Sequence, residues 1–274
     1  MARPVNLPGN LPVETVETKH VRSVYDEIAL HWHHTRVYMW PKVKTYVNSL
    51  PAHSVVLDVG CGNGVNMTMR TKDLYYVGLD ISVQLLQNVA ARGVCAVSGG
   101  QDRLPFCDGQ FDSILSIAVI HHGVDIKTRM QSIAEIERCL CPGGTALVYA
   151  WNKNQQKFTG LGPDVLVPWQ LQARHAPHAA ATGRDGAKPP LPTLKRKRSE
   201  DGARDIGIAK VLWRFYHLFE QGELEKLVHA STTLEIVESG EQFHNWYVVL
   251  RKRNNDDESA AIQKTDSQTR PAEE

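Results

Sequence analysis

Cysteine is sparse in this sequence and odd in number. Cys61, Cys95, Cys107, Cys139 and Cys141 include no CxxC pair, so neither a disulfide framework nor an internal zinc ribbon is supported, and no metal site is expected. No apolar run approaches the roughly eighteen residues that a membrane helix requires. The opening residues, MARPVNLPGN, lack the charged-then-apolar pattern of an export signal. Neither sign of charge dominates: the formal net charge is +1, so no overall field would draw the chain onto nucleic acid. These absences leave an intracellular globular protein as the expectation. What is present suffices for one, since 42% of the 274 residues are hydrophobic, enough for a large single core or two small ones.

Composition varies along the chain and sets the expected boundaries. Residues 1–18 hold three prolines with little periodicity and are predicted to be a loose, disordered arm. From Lys19 onward, short apolar runs alternate with helical stretches. Ser54–Val59, Leu74–Leu79, Val94–Val97, Phe111–Ile117 and Ala146–Trp151 are continuous rather than alternating, as in strands of a parallel sheet covered on both faces. Val83–Ala91, with Ser82 as N-cap, and Thr128–Leu140, ended by Pro142-Gly143-Gly144, are predicted helices. Such alternation indicates a doubly wound α/β sheet. Residues 171–206 are rich in Ala, Pro, Gly, His and Arg with few aliphatics, and are expected to be a disordered insertion. Ala209–Ala230 shows helical spacing in Leu212, Phe215, Tyr216, Phe219, Leu224, Leu227 and Val228, and is predicted to be a helix. Thr233–Val237 and Trp246–Arg251 are predicted to be a closing strand pair. A polar tail over 253–274 follows the globular body at 19–252.

Chemistry concentrates first in Asp58-Val59-Gly60-Cys61-Gly62-Asn63-Gly64, directly after the first strand. Three glycines let the backbone turn tightly and approach a ligand closely. Asp80 ends the second strand, where a carboxylate can take both hydroxyls of a ribose, and Ile81 follows it. The third glycine comes one residue earlier than in GxGxxG. That variant resembles motif I of class I S-adenosylmethionine-dependent methyltransferases, a Rossmann-like fold of seven strands with helices on both faces. The alternative is a loop that serves only chain reversal. Asp102, in DRLPF before the fourth strand, resembles the acid that holds the adenine amino group in that family. It is shifted by two residues, because Gly100 occupies the usual position.

The fourth strand runs through Ile117 into Ala118-Val119-Ile120-His121-His122. No Asn/Asp-Pro-Pro-aromatic clamp for an amino group is present, and no cysteine stands at a strand end to attack a pyrimidine. Methyl transfer from a sulfonium needs an aligned nucleophile and excluded water. A carboxylate, already ionised, needs no base and only cations to hold it. His121, His122, Arg129 and Arg36 are the expected holders, with Tyr25 beside them. Between Lys19 and Tyr46, Lys19, Arg22, Arg36, Lys42 and Lys44 outnumber Asp26 and Glu27. Tyr25, Trp32, Tyr38 and Trp40 are interleaved, a mixture that suits stacked bases and phosphates but also a helical cap over a cofactor.

Longer motifs carry a more specific likeness. They are His20-Val21 through Val24-Tyr25-Asp26-Glu27-Ile28-Ala29, Thr35-Arg36, Trp40-Pro41, DVGCGNG at 58–64 and SIAVIHH at 116–122. PGG at 142–144, VPW at 167–169, RFYHLFEQGELEKL at 214–227 and NWYVV at 245–249 complete them. Together they resemble the wobble-uridine tRNA carboxymethyl methyltransferases of yeast type and the methyltransferase domain of the AlkB-homologue tRNA hydroxylase, over nearly all of 19–252. The resemblance implies S-adenosylmethionine as cofactor, held by Asp58, Gly60, Cys61, Gly62, Asn63, Gly64, Asp80, Ile81, Asp102 and Ile117. It implies methyl esterification of 5-carboxymethyluridine in a tRNA anticodon stem-loop. It also implies a small zinc-binding activator protein as heterodimer partner, for which the short uncharged strand Val94–Val97 at the sheet edge is the expected seat. Val65 departs from the family, which has a lysine there. A methyltransferase of small carboxylic acids and a non-catalytic cofactor-binding scaffold are the rival readings. A cytoplasmic location is expected. Lys195-Arg196-Lys197-Arg198 is read first as a solvated run, with nuclear import or a hold on the tRNA backbone as alternatives.

Overall fold

A computed structural model describes residues 2–35, 38–172 and 208–254. Its elements are β1 (Val5–Asn6), α1 (Val13–Glu17), a π-helical turn (Thr18–Arg22), α2 (Ser23–Thr35), α3 (Pro41–Ser49), β2 (Val55–Val59), β3 (Tyr75–Asp80), α4 (Val83–Ala90), β4 (Cys95–Ser98), β5 (Phe111–Ile117), α5 (Ile126–Cys139), β6 (Leu140–Trp151), β7 (Asp164–Gln172), β8 (Ile208–His217), α6 (Glu223–Ser231), β9 (Glu235–Gln242) and β10 (Asn245–Arg251).

Seven strands form one sheet in the order β4-β3-β2-β5-β6-β10-β9. β2 pairs in parallel with both β3 and β5, and β10 alone runs opposite to the other six strands. The continuous apolar runs of β2, β5 and β6 are explained by this layering. Leu57, Ile114, Leu115, Leu147 and Val148 are fully buried, because helices cover both faces. Each such side chain contributes about 1.5–3 kcal/mol of transfer free energy. Ser82 caps α4 as expected, accepting a hydrogen bond from the Leu85 amide at 3.3 Å. Asp125 does the same for α5, from the Thr128 amide at 2.8 Å. The tyrosine of α3 pins that helix to the sheet, with Tyr46 Oη 2.9 Å from Ser113 Oγ and 2.7 Å from Thr145 Oγ1.

Three expectations are corrected. Ala209–Ala230 is not one helix: its first part is strand β8, and only Glu223–Ser231 is helical. β8 pairs with β7, and Leu212, Arg214, Phe215, Tyr216 and His217 are all buried. With both faces covered, the run imitated helical spacing, whereas its aromatic content suits a strand. The arm at 1–18 is docked rather than loose. Val5 and Asn6 pair with β7, and Val16 is fully buried against Val21, Val24 and Leu166. Leu171 and Gln172, the first two residues of the insertion predicted at 171–206, belong to β7 instead, with Leu171 opposite Lys210. Residues 173–207, including Lys195–Arg198, lie outside the described residues, as do 255–274 of the expected tail. The outcome is a second, antiparallel sheet of order β1-β7-β8, packed with α1 and α2 over the carboxyl ends of the parallel strands.

Candidate active site

The glycine turn leaves β2 at the carboxyl edge of the sheet. Gly60, Gly62 and Gly64 all take positive φ, at 65°, 55° and 76°. At Gly60 the requirement is steric as well, because an added Cβ would overlap the side chain of Val119. That close approach draws together the turn after β2 and the segment after β5, where Ala118 holds φ at 61°. A left-handed non-glycine residue stores backbone strain of about 1 kcal/mol. Over the turn lies α2: a Cβ at Gly62 would come 3.3 Å from Trp32 Nε1, and Ser82 Oγ donates to Asp26 Oδ1 at 2.7 Å.

Two buried carboxyls face this turn. Asp80 Oδ2 accepts from the Gly62 amide and Oδ1 from the Ser82 amide, both at 2.8 Å. Burial pushes the Asp80 carboxyl up to about 6, even though those amides, together with that of Ile81, pull it down. Asp58 is pushed by burial to about 8. Its Oδ2 has only the Asn66 amide at 3.4 Å, and its Oδ1 is buried without a partner. Gln101 Oε1, just beyond β4, is likewise buried and unpartnered. A cradle with no Cβ, two desolvated carboxyls and an unused amide oxygen form an acceptor set suited to a ligand with hydroxyls, a cation and an amino group. S-adenosylmethionine has all three. Cys61 presents only backbone here. Its amide donates to Leu79 O at 2.9 Å, while its side chain is buried against Gly78. Asn63 is buried and accepts from the Val65 amide through Oδ1 at 3.3 Å. Ile117 and Ile81 are half-buried at the strand ends, and Asp102 is exposed with Oδ1 turned toward Gly100.

Beside the glycine turn runs a buried chain of polar groups. Arg214 Nη1 donates to Tyr216 Oη at 2.7 Å, and Tyr216 Oη lies 3.3 Å from Tyr25 Oη. Tyr25 Oη lies 2.9 Å from His122 Nε2. His122 Nδ1 donates to the Phe215 carbonyl at 2.8 Å, which leaves Nε2 to accept the Tyr25 proton. His121 stacks on Tyr216 with centroids 4.8 Å apart, and its Nδ1 accepts from the Trp151 amide at 3.3 Å. The structure thus brings together Tyr25, His121 and His122 of the expected residues. It adds Arg214 and Tyr216, which the sequence reading did not single out because it placed them on a helix.

Burial opposes the cationic form expected of His121 and His122. Burial holds His122 down at about 4, reinforced by Arg214, and depresses His121 well below its usual value, reinforced by His122 and Arg214. Both imidazoles are neutral at neutral pH. The cation among them is Arg214, 4% exposed, stacked 4.8 Å from the Trp169 ring centre, with Nε unpartnered. No hydrogen bond joins Arg129 to this chain among the described residues: its Nη1 donates to Gly123 O at 2.9 Å. Arg36 lies outside the described residues.

Behind β8 a second buried cluster sets that strand's position. His217 is bridged by Asp164 Oδ1 and Glu223 Oε1, each at 2.7 Å. Desolvation opposes its charge, but the two carboxylates outweigh desolvation and raise it. A group raised in the folded state contributes stability below its unfolded value of about 6.5 and loses it as pH rises through the folded value. The melting temperature of the native chain is therefore expected to fall from pH 6.5 into the alkaline range more steeply than that of His217→Gln. Parallel curves would assign the cluster no ionic contribution.

Comparison with known proteins agrees with this geometry. The family described as a methyltransferase domain matches residues 57–148. Among solved structures, a chain from the complex between the Haloferax volcanii Trm112 methyltransferase activator and a methyltransferase superposes with a TM-score of 0.57 at 17% identity, covering 86% of this chain and 98% of that one. Sheet order, glycine turn and paired carboxyls define a class I S-adenosylmethionine-dependent methyltransferase. A Schizosaccharomyces pombe tRNA (carboxymethyluridine(34)-5-O)-methyltransferase is 36% identical over 241 residues, covering 86% of this chain and 97% of its own. The Xenopus tropicalis tRNA (carboxymethyluridine(34)-5-O)-methyltransferase alkbh8 is 32% identical over 286 residues, of which the match spans 42% of its length. The chain belongs to the tRNA (carboxymethyluridine(34)-5-O)-methyltransferase family.

Gly60→Ala provides a test of the turn. With φ at 65° and Val119 in the way, the substitution is expected to weaken donor binding at least tenfold. Gly93→Ala has a similar φ of 76° and no neighbour within 4 Å, so it should lower stability but leave donor affinity intact. Equal donor affinities in calorimetry would remove the turn from the binding site.

Proposed function

We propose that this chain methyl-esterifies 5-carboxymethyluridine at the wobble position of tRNA, yielding 5-methoxycarbonylmethyluridine. S-adenosylmethionine supplies an electrophilic methyl on a sulfonium. A carboxylate–methyl bond forms as the methyl–sulfur bond breaks, and no proton is gained or lost. Asp80 would hold the ribose hydroxyls, Asp58 the methionine ammonium, and Gln101 the adenine amino group, which moves the adenine contact one residue from Asp102. Gly60, Gly62 and Gly64 leave room for the donor.

The observation that carries the reading is Arg214. A buried guanidinium with an unused Nε–H is an anion holder, and a carboxylate nucleophile needs no base. That requirement agrees with His121 and His122 being neutral. They orient Tyr25 and Tyr216 and keep water from the site. A free small acid would also satisfy Arg214, but the family relatives at full length are named for a tRNA nucleoside.

For partners, we place a small activator of the Trm112 kind along β4. That strand ends the sheet and exposes Cys95, and the Haloferax volcanii neighbour was solved with such an activator. No helix among the described residues is long and apolar enough to cross a membrane. We place the activity in the cytoplasm, with nuclear entry the alternative. The decisive experiment incubates the chain, with and without activator, with labelled methyl donor and undermethylated tRNA, then digests to nucleosides. Label in the methyl ester supports the reading, and label confined to free carboxylic acids would replace it with the small-molecule one.

A further inference from the structure

The loop between β6 and β7 carries a cation that the catalytic chain does not use. Lys157 is exposed, yet its ammonium is held 4.3 Å from the Trp151 ring centre and 4.8 Å from that of Phe158. Trp151 in turn packs 4.3 Å from Tyr216 and 5.7 Å from His121. Lys157 therefore stands one aromatic ring outward from the buried polar chain. Among the described residues it makes no ion pair, whereas the neighbouring Lys153 is paired with Glu220 at 2.7 Å. Partial desolvation of the ammonium over these rings and the Arg214 charge both lower the affinity of Lys157 for its proton, so a nearby anion would relieve it.

Next to Lys157 a cleft of about 530 Å³ opens between this loop and the turn before α6. It is lined by Lys153, Asn154, Gln156, Thr159, Glu220 and Gln221, with Phe158 in its wall. Phe158, whose ring centre lies 6.2 Å from that of Trp151, is the wall the cleft shares with the Trp151 cluster. Amides and a hydroxyl make up much of its polar lining, and its one carboxylate, Glu220, is paired with Lys153. That chemistry suits a hydrated sugar–phosphate backbone.

We propose that Lys157 is a substrate-contacting residue whose ammonium pairs with a phosphodiester beside the target nucleotide, the adjoining strand lying in the cleft at 153–161. This rests on the tRNA reading above. Arg214 is buried and takes the carboxylate, while an exposed ammonium one ring outward meets the next anion along the strand. An ammonium is a point charge that matches a single phosphate oxygen, and its contact with the indole keeps it ordered before RNA arrives.

The test measures binding of an anticodon stem-loop RNA to the full chain, with activator where pairing proves necessary, across a salt series. Lys157→Gln is expected to weaken binding about 5- to 10-fold at low salt and to reduce the slope of log Kd on log salt by about 0.7, the value for one single-strand phosphate. Lys157→Arg should retain most of both, and donor affinity should be unchanged in either variant. An unaltered Kd and slope in Lys157→Gln would overturn the proposal. So would a fall in kcat at constant Kd, which would move Lys157 to the carboxylate, or a loss of donor affinity, which would make its role structural. If native protein binds the RNA yet forms no ester, the proposed activity fails, while the Lys157 contact is still judged by the salt series.

Discussion

Replacing Arg214 with methionine is expected to lower methyl transfer about 10²- to 10³-fold while changing donor affinity less than twofold. The size follows from removing one charged donor from a dry site, which costs on the order of 3–4 kcal/mol of barrier. Methionine keeps much of the stem volume beside Trp169, so packing is largely preserved. The substitution leaves Tyr216 Oη without its 2.7 Å donor, and the order of the Tyr216–Tyr25–His122 chain depends on that bond. Lysine should restore little, since a single ammonium cannot serve Tyr216 and a carboxylate with a planar fork. Single-turnover transfer to undermethylated tRNA, read beside calorimetry with the donor, separates the outcomes. Transfer at the native rate in Arg214→Met would remove the proposed anion holder. Loss of donor binding in parallel would make Arg214 part of the scaffold.

Asp80→Asn is expected to weaken the donor about 10- to 100-fold, as hydrogen bonds to a charged group contribute about 1.5–3 kcal/mol. Asparagine keeps the size and one acceptor, so the Gly62 turn retains much of its support. The native protein should also show donor binding that depends on pH. Asp80 loses its proton near 6 and Asp58 near 8. The ionised forms are the better partners for hydroxyls and an ammonium, so affinity should rise with pH through both values. The same raised values mean that these carboxyls cost stability in the free protein as pH climbs, which bound donor would offset. Asp58→Asn should flatten the upper step and Asp80→Asn the lower. A donor affinity constant between pH 5.5 and 8.5 would contradict the assignment of both.

Local chemistry was legible in the sequence. The DVGCGNG turn, Asp80 at a strand end and Ser82 as a cap are short-range signals, because backbone sterics and capping act within a few residues. The parallel strands were legible too, since burial on both faces leaves unbroken apolar runs. The same property misled at β8. LWRFYH is covered on both faces, and its apolar residues matched helical spacing although its aromatics fit a strand. With β8 misplaced, Arg214 and Tyr216 could not be set opposite Tyr25, whose partner lies 191 residues away.

By itself, then, the sequence determined the doubly wound fold, the glycine turn with its two carboxyls, and the family, since each is written in short local motifs and in the order of apolar runs along the chain. Tertiary structure alone decided which basic side chains meet in the buried polar chain beside the glycine turn. Burial strips water from His121 and His122 and opposes their charged forms, and the guanidinium packed among them belongs to Arg214, from a strand far along the chain. Desolvation is a property of everything packed around a residue, so no reading of neighbours along the chain could supply it.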